Sequence, residues 1–171
     1  MKRQRNKRLL AVSSGGGHWV QLRRMKKAFE GCDVSWVTVR AGYRVDLEDQ
    51  TDRFFVIPDA TRWNKVGLIV VLLRIILVII RVRPHVIVTT GAAPGLLSLV
   101  VGRIIGCRTC WIDSIANMQE MSLSGMKARR WSGLWLTQWE HLSTTNGPSY
   151  HGSVLQNFCA EEDEESMERN Q

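Results

Sequence analysis

Twice along the chain a short strand-like run stops at a cluster of small residues, and a helical pattern begins at once. Leu9–Ser13 runs into Gly15-Gly16-Gly17, after which Trp19, Leu22, Met25, Lys26 and Phe29 recur at helical spacing up to Gly31. His85–Thr90 runs into Gly91-Ala92-Ala93, and Pro94 then falls in the first turn of a helix expected to reach about Ile105. Repetition of such units builds an α/β fold, a Rossmann-like parallel sheet with helices on both faces. Further strands are expected at Asp33–Val39, Phe54–Ile57, Arg108–Asp113 and Leu134–Thr137, about six in all, with a polar loop over Ala41–Asp52.

Length and charge narrow the class. The 171 residues fit one domain on the usual scale of roughly 100–200 residues, too short for a two-domain enzyme. A hydrophobic content of 44% allows a packed core and excludes a disordered or fibrous chain. Six acids (Glu161, Glu162, Asp163, Glu164, Glu165 and Glu168) crowd the last eleven residues, leaving 22 bases against 10 acids over residues 1–160. The body is thus basic, suited to phosphorylated ligands or anionic membranes. The stretch 156–171 reads as an acidic, disordered tail of no assigned role, and 1–8 as a basic N-terminal stretch. The apolar run Leu9–Val12 is too short for a secretory signal core, which points to a reducing cytosolic setting. Cys107 and Cys110 form a CxxC, but they are expected on opposite faces of the chain and no second pair completes a metal site, so no metal is expected.

One segment departs from the amphipathic pattern. Val66–Ile80 (VGLIVVLLRIILVII) carries a single charge, Arg74, and is apolar all round. As a helix rising about 1.5 Å per residue it falls short of a hydrocarbon core of about 30 Å. The bases Arg62, Lys65, Arg81 and Arg83 flank it, which suits headgroups around a segment dipping into one leaflet. Val66, Leu68, Leu72, Arg74, Ile76 and Ile80 are the expected membrane-contact residues; burial within the sheet sandwich is the competing reading.

Ligands of open parallel sheets bind beyond the carboxyl ends of the strands. The two small-residue turns lie there. Glycines admit close backbone approach, and helix starts attract anions. Gly15, Gly16 and Gly17 in the first turn, with Thr90, Gly91, Ala92 and Ala93 in the second, are candidates for holding a diphosphate. Neither turn is a dinucleotide fingerprint, since Val20 stands where GxGxxG needs its last glycine, and no GK[ST] follows. Asp113 and Ser114 end a third strand at the same edge; Asp113 either orients a ligand hydroxyl or caps the next helix. His18, in the first turn after a glycine loop, is the candidate general base. His85 is read as structural.

These segments, VSSGGGHWVQL, PHVIVTTGAAPG, WIDSIANMQEMSLSG and LWLTQWEHL, resemble in order the bacterial PssD-type polysaccharide glycosyltransferase subunits. They are also similar to the membrane-anchoring subunit of the eukaryotic N-acetylglucosaminyltransferase that extends dolichol-linked oligosaccharides, and the first glycine loop is similar to the N-terminal half of MurG. The resemblance implies that 9–155 is the N-terminal, acceptor-binding half of a GT-B glycosyltransferase split over two polypeptides. It implies no permanently bound cofactor, a UDP-sugar donor supplied through a PssE-like C-terminal-half subunit, a polyprenyl-diphosphate-linked sugar acceptor and a place on the cytoplasmic face of the membrane. It implies inverting transfer with His18 as base, and Asp113 and Ser114 lining the cleft. The eukaryotic subunit has an N-terminal membrane helix where this chain has only Lys2–Arg8, so anchoring is expected from 66–80 and the basic surface.

Three rivals remain. The chain can be a non-catalytic membrane scaffold that recruits the donor-binding partner. A self-contained nucleotide binder is disfavoured, because the second strand ends at Val39-Arg40 without the ribose-binding acid. Nucleic-acid binding lacks any interleaved aromatic and basic platform, so no nucleic acid is expected as a partner.

Overall fold

The computed structural model describes residues 7–154 apart from 48, 50, 61 and 62. The expected basic stretch and acidic tail therefore lie outside the described residues, bar Lys7 and Arg8, as does Arg62.

Seven parallel strands form one sheet: β1 (Lys7–Val12), β2 (Cys32–Thr38), β3 (Arg53–Val56), β4 (Val86–Thr89), β5 (Arg108–Ile112), β6 (Leu134–Thr137) and β7 (Ser149–Tyr150). Their order is β3-β2-β1-β4-β5-β6-β7, so the direction of winding reverses between β1 and β4. That reversal is the switch point at which such sheets bind ligands. Six of the strands match the sequence expectation closely. The two-residue β7 is too short to leave a periodic signal.

Helices α2 (Lys65–Val82), α3 (Ala92–Ile104) and α4 (Leu123–Ala128) pack on one face. Leu10, Val12, Ile87 and Trp111 of the sheet meet Val71, Ile75 and Leu99 there. Helix α1 (Gly17–Arg24) and a 3-10 turn (Lys26–Phe29) cover the other face, where Trp19, Leu22 and Phe29 meet Leu9, Ala11 and Trp36. The expected helix over 18–29 is thus broken at Met25, which leaves helical continuity and joins the two pieces. The polar stretch expected as a loop holds a 3-10 helix over Ala41–Asp46. On α3, Gly95 and Gly102 lie seven residues apart, two turns along one face. A methyl group at either would overlap Thr89 or Ile87 of β4, so these glycines let the helix rest directly on the strand.

The apolar segment is neither all buried nor all exposed. Helix α2 starts under an Asn64 cap that accepts from Gly67 N at 2.8 Å and ends at Arg83, whose φ of 50° precedes Pro84. Val71, Ile75, Val78, Ile79 and Val82 face the core. Val66, Ile69, Val70, Leu73, Leu77 and Ile80 form an outward stripe, with Val66 73% and Ile80 60% exposed. Among the expected contact residues, Val66, Arg74 and Ile80 lie on this surface, while Leu68, Leu72 and Ile76 are half-buried along its edge. The stripe also contains Ile69, Val70, Leu73 and Leu77, which the sequence reading did not single out. No helix of the described residues is long and apolar enough to cross a membrane.

Cys107 and Cys110 point to opposite faces of the sheet, each in a different core cluster. Burial pushes the Cys110 thiol up to about 12 and raises that of Cys107, whose Sγ donates to Pro84 O. His85 is exposed rather than enclosed, because it precedes β4, but its Nδ1 accepts from Arg8 N at 3.0 Å.

Candidate functional site

The two glycine turns meet. β1 and β4 are neighbours in register, Val12 beside Thr89, so the turns that leave them emerge side by side. Their contact is reciprocal: His18 Nδ1 lies 2.9 Å from Thr90 O, and Thr90 Oγ1 donates to His18 O at 2.7 Å. A carbonyl can only accept, so Nδ1 carries a proton, and in the neutral tautomer of this ring the lone pair lies on Nε2. The imidazole is held in place by the neighbouring turn. Gly91, at φ 134°, passes beneath this ring; an added Cβ would stand 2.8 Å from His18 Cε1. The next residue, Ala92, also has a positive φ, 62°. Glycine is required at 91 for its backbone angle and for the space the imidazole occupies.

The polar groups expected to hold a diphosphate divide into two sets. Gly16 N donates to Tyr43 Oη at 2.9 Å, Gly91 N to Thr89 Oγ1 at 3.2 Å, and the Thr90 hydroxyl is spent on His18. These groups lock the turns. No side chain caps α1 or α3, so the first N–H groups of both helices, at Gly17, His18, Ala92 and Ala93, remain at the shared rim. Gly15 is half-buried under Tyr43, with Arg40 beside it. Tyr43, stacked on Trp19 with ring centroids 5.2 Å apart, is a member of the site that the sequence reading missed. Its only signal was an aromatic in a polar stretch.

Asp113 is buried, 2% exposed, and saturated. Oδ1 accepts from Ser122 Oγ at 2.7 Å and Trp111 Nε1 at 3.1 Å; Oδ2 accepts from Ser122 N at 2.9 Å and Asn117 Nδ2 at 3.1 Å. Ser122 in turn caps α4 by accepting from Gly125 N at 2.9 Å. The carboxylate therefore secures a helix cap one residue removed and pins the loop from 114 to 122. Ser114 is half-buried, and its hydroxyl accepts from Ala116 N at 3.3 Å. Gln21, overlooked in the sequence, ties this loop to α1: its amide donates to Asp113 O at 2.9 Å and accepts from Ile115 N at 3.2 Å. A buried Gln on a helix face otherwise apolar was the available signal.

No protein-family profile matches the chain, and no curated protein sequence does. Solved structures match its fold. MurG from Acinetobacter baumannii superposes with a TM-score of 0.68 at 14% identity, over 84% of this chain and 45% of that one. UDP-N-acetylglucosamine 2-epimerase from Rickettsia bellii gives 0.67 at 12% identity, over 91% and 48%. UDP-GlcNAc 2-epimerase from Methanocaldococcus jannaschii gives 0.58 at 14%, over 76% and 39%. The chain therefore has the α/β, Rossmann-like fold of one half of a GT-B-type molecule, and it spans less than half the length of each of these structures.

Proposed function

We propose that the chain is the acceptor-binding, membrane-associating subunit of a two-component glycosyltransferase that uses a UDP-sugar. The observation that carries this reading is the pairing of two uncapped helix starts around a fixed imidazole at the switch point of the sheet. The likeness to half of MurG and of UDP-sugar epimerases supports the donor class and the need for a second half. The N–H groups at Gly17 and at Ala92–Ala93 hold the diphosphate of a polyprenyl-linked saccharide. His18 Nε2 takes the proton from the acceptor hydroxyl, whose oxygen attacks the anomeric carbon with inversion as UDP departs. A PssE-like partner brings the UDP-sugar.

Membrane contact through α2 is part of the same reading. β3 ends at the rim, so α2 begins near it and runs back along the sheet to β4. Its outward stripe, bordered by exposed Lys65, Arg74 and Arg81, presents apolar surface to lipid and cations to headgroups on the cytoplasmic face. The lipid-linked diphosphate then lies within reach of the glycine turns.

The test is sugar transfer by the purified complex of this chain and its co-purifying partner, with polyprenyl-diphosphate-linked acceptor. His18→Ala lowers kcat by about 10²–10⁴-fold while partner and vesicle binding persist. Undiminished transfer by that variant removes the base and leaves the scaffold reading.

A further inference from the structure

The sheet is open at β3, its edge strand. A cleft of about 750 Å³ wraps round the start of that strand, lined by Arg44, Asp52, Arg53, Phe54, Phe55 and Arg81. Phe55 packs into the core cluster under α2, and Phe54 into the cluster on the opposite face, so the cleft joins the two faces across the open edge. Arg53 enters it from the strand and Arg81 from the last turn of α2.

The charge of the cleft is unbalanced. Among the described lining residues Asp52 is the one acid, and it is engaged: Oδ2 accepts from Trp36 Nε1 at 2.9 Å, and its backbone O accepts from Arg44 Nη1. Arg44 thereby closes one wall, its guanidinium carbon 5.7 Å from the centre of the Phe54 ring. Arg53 and Arg81 are exposed, and among the described residues neither makes an ion pair or a side-chain hydrogen bond. Two guanidinium groups facing one cleft with no acid to pair them suit a phosphate, whose oxygens match the guanidinium fork. The backbone adds a donor. Ile57 N bonds to Thr38 O of β2 at 2.9 Å, so alternation along the strand turns the Phe54 N–H away from β2, toward the open edge. Helix α2 supplies apolar surface beside these donors. Leu77 and Arg81 are four residues apart on one helix face, with exposed Leu73 and Ile80 alongside, so the outward stripe runs into the cleft.

We propose that this cleft binds the phosphate of an anionic phospholipid, held by Arg53, Arg81 and the Phe54 N–H, with the acyl chains lying along Leu73, Leu77 and Ile80. The inference rests on the membrane contact proposed for α2 and gives that contact a defined headgroup site, completed by a residue of β3. A soluble phosphate would satisfy the same donors; the adjoining apolar stripe favours the lipid, because only a lipid fills both.

Flotation of the full chain with vesicles of phosphatidylcholine and phosphatidylglycerol, mixed two to one, tests this. Arg53→Gln/Arg81→Gln is expected to weaken binding about tenfold or more. Arg103→Gln/Arg108→Gln removes the same charge from α3 and β5, and is expected to stay within about threefold of the parent chain. All four side chains are exposed, and thermal melting verifies that both variants are folded. Equal losses in the two variants overturn the site, since net charge then explains the binding; so does an unchanged Arg53→Gln/Arg81→Gln chain. Calorimetry with inorganic phosphate separates the two sources of the anion. Saturable phosphate binding that Arg53→Gln/Arg81→Gln abolishes, with vesicle binding intact, assigns the cleft to a soluble phosphate and overturns the lipid. A parent chain that does not float at all overturns the membrane contact of α2 and this site with it, whereas flotation indifferent to Arg53 and Arg81 overturns the site alone.

Discussion

At the scale of single residues, the site is built from groups that hold each other. His18 is fixed by Thr90, Gly91 makes room for its ring, and Asp113 with Gln21 anchors the adjoining loop. Gly91→Ala imposes a left-region backbone angle and a collision with the imidazole. It is expected to cost about 1–3 kcal/mol of stability in urea denaturation and to reduce sugar transfer as severely as His18→Ala. Asp113→Ala strands buried donors on Ser122 and Trp111, each costing about 1–3 kcal/mol. Its urea midpoint should fall well below that of Ser114→Ala, whose hydroxyl makes a single long contact. With its thiol pushed up to about 12, Cys110 carries almost no thiolate at neutral pH. Iodoacetamide at pH 7.5 should leave it unmodified in the native protein and label it after unfolding, as mass spectrometry would show.

At the scale of elements, α2 has one face in the core and one apolar face at the surface. Ile75 is 2% exposed within the core, whereas Leu73 and Leu77 are 56% and 59% exposed on the stripe. Ile75→Ala is expected to lose about 2–5 kcal/mol of stability. Leu73→Glu/Leu77→Glu should leave the thermal midpoint nearly unchanged while abolishing flotation with anionic vesicles. Retained flotation would assign lipid binding to another surface. The helix pattern itself hid this division. When both faces are apolar, periodicity carries no phase, so the orientation of α2 about its axis was not legible in VGLIVVLLRIILVII.

At the scale of the whole molecule, the described residues form one GT-B-type half, whose rim carries two uncapped helix starts and a fixed imidazole. The proposed function predicts transfer only when this chain is mixed with the proposed donor-binding subunit; each alone should give no labelled product from UDP-sugar. Activity of the isolated chain on a soluble acceptor would refute the division of labour.

Much of this architecture was written in local sequence. β1 and β4 were readable because each ends in small residues that let the strand pass directly into a helix packed back upon it, and four further strands were readable as short apolar runs between polar or turn-forming residues. The glycine turns and His18 were readable too, since they are contiguous in the chain. What the sequence left open was every relation across distance. Tyr43 bonded to Gly16, Gln21 against Asp113, and the outward side of α2 depend on which segments the fold brings together. Strand order decided those relations: by placing β4 against β1, it turned two separate loops 72 residues apart into one site.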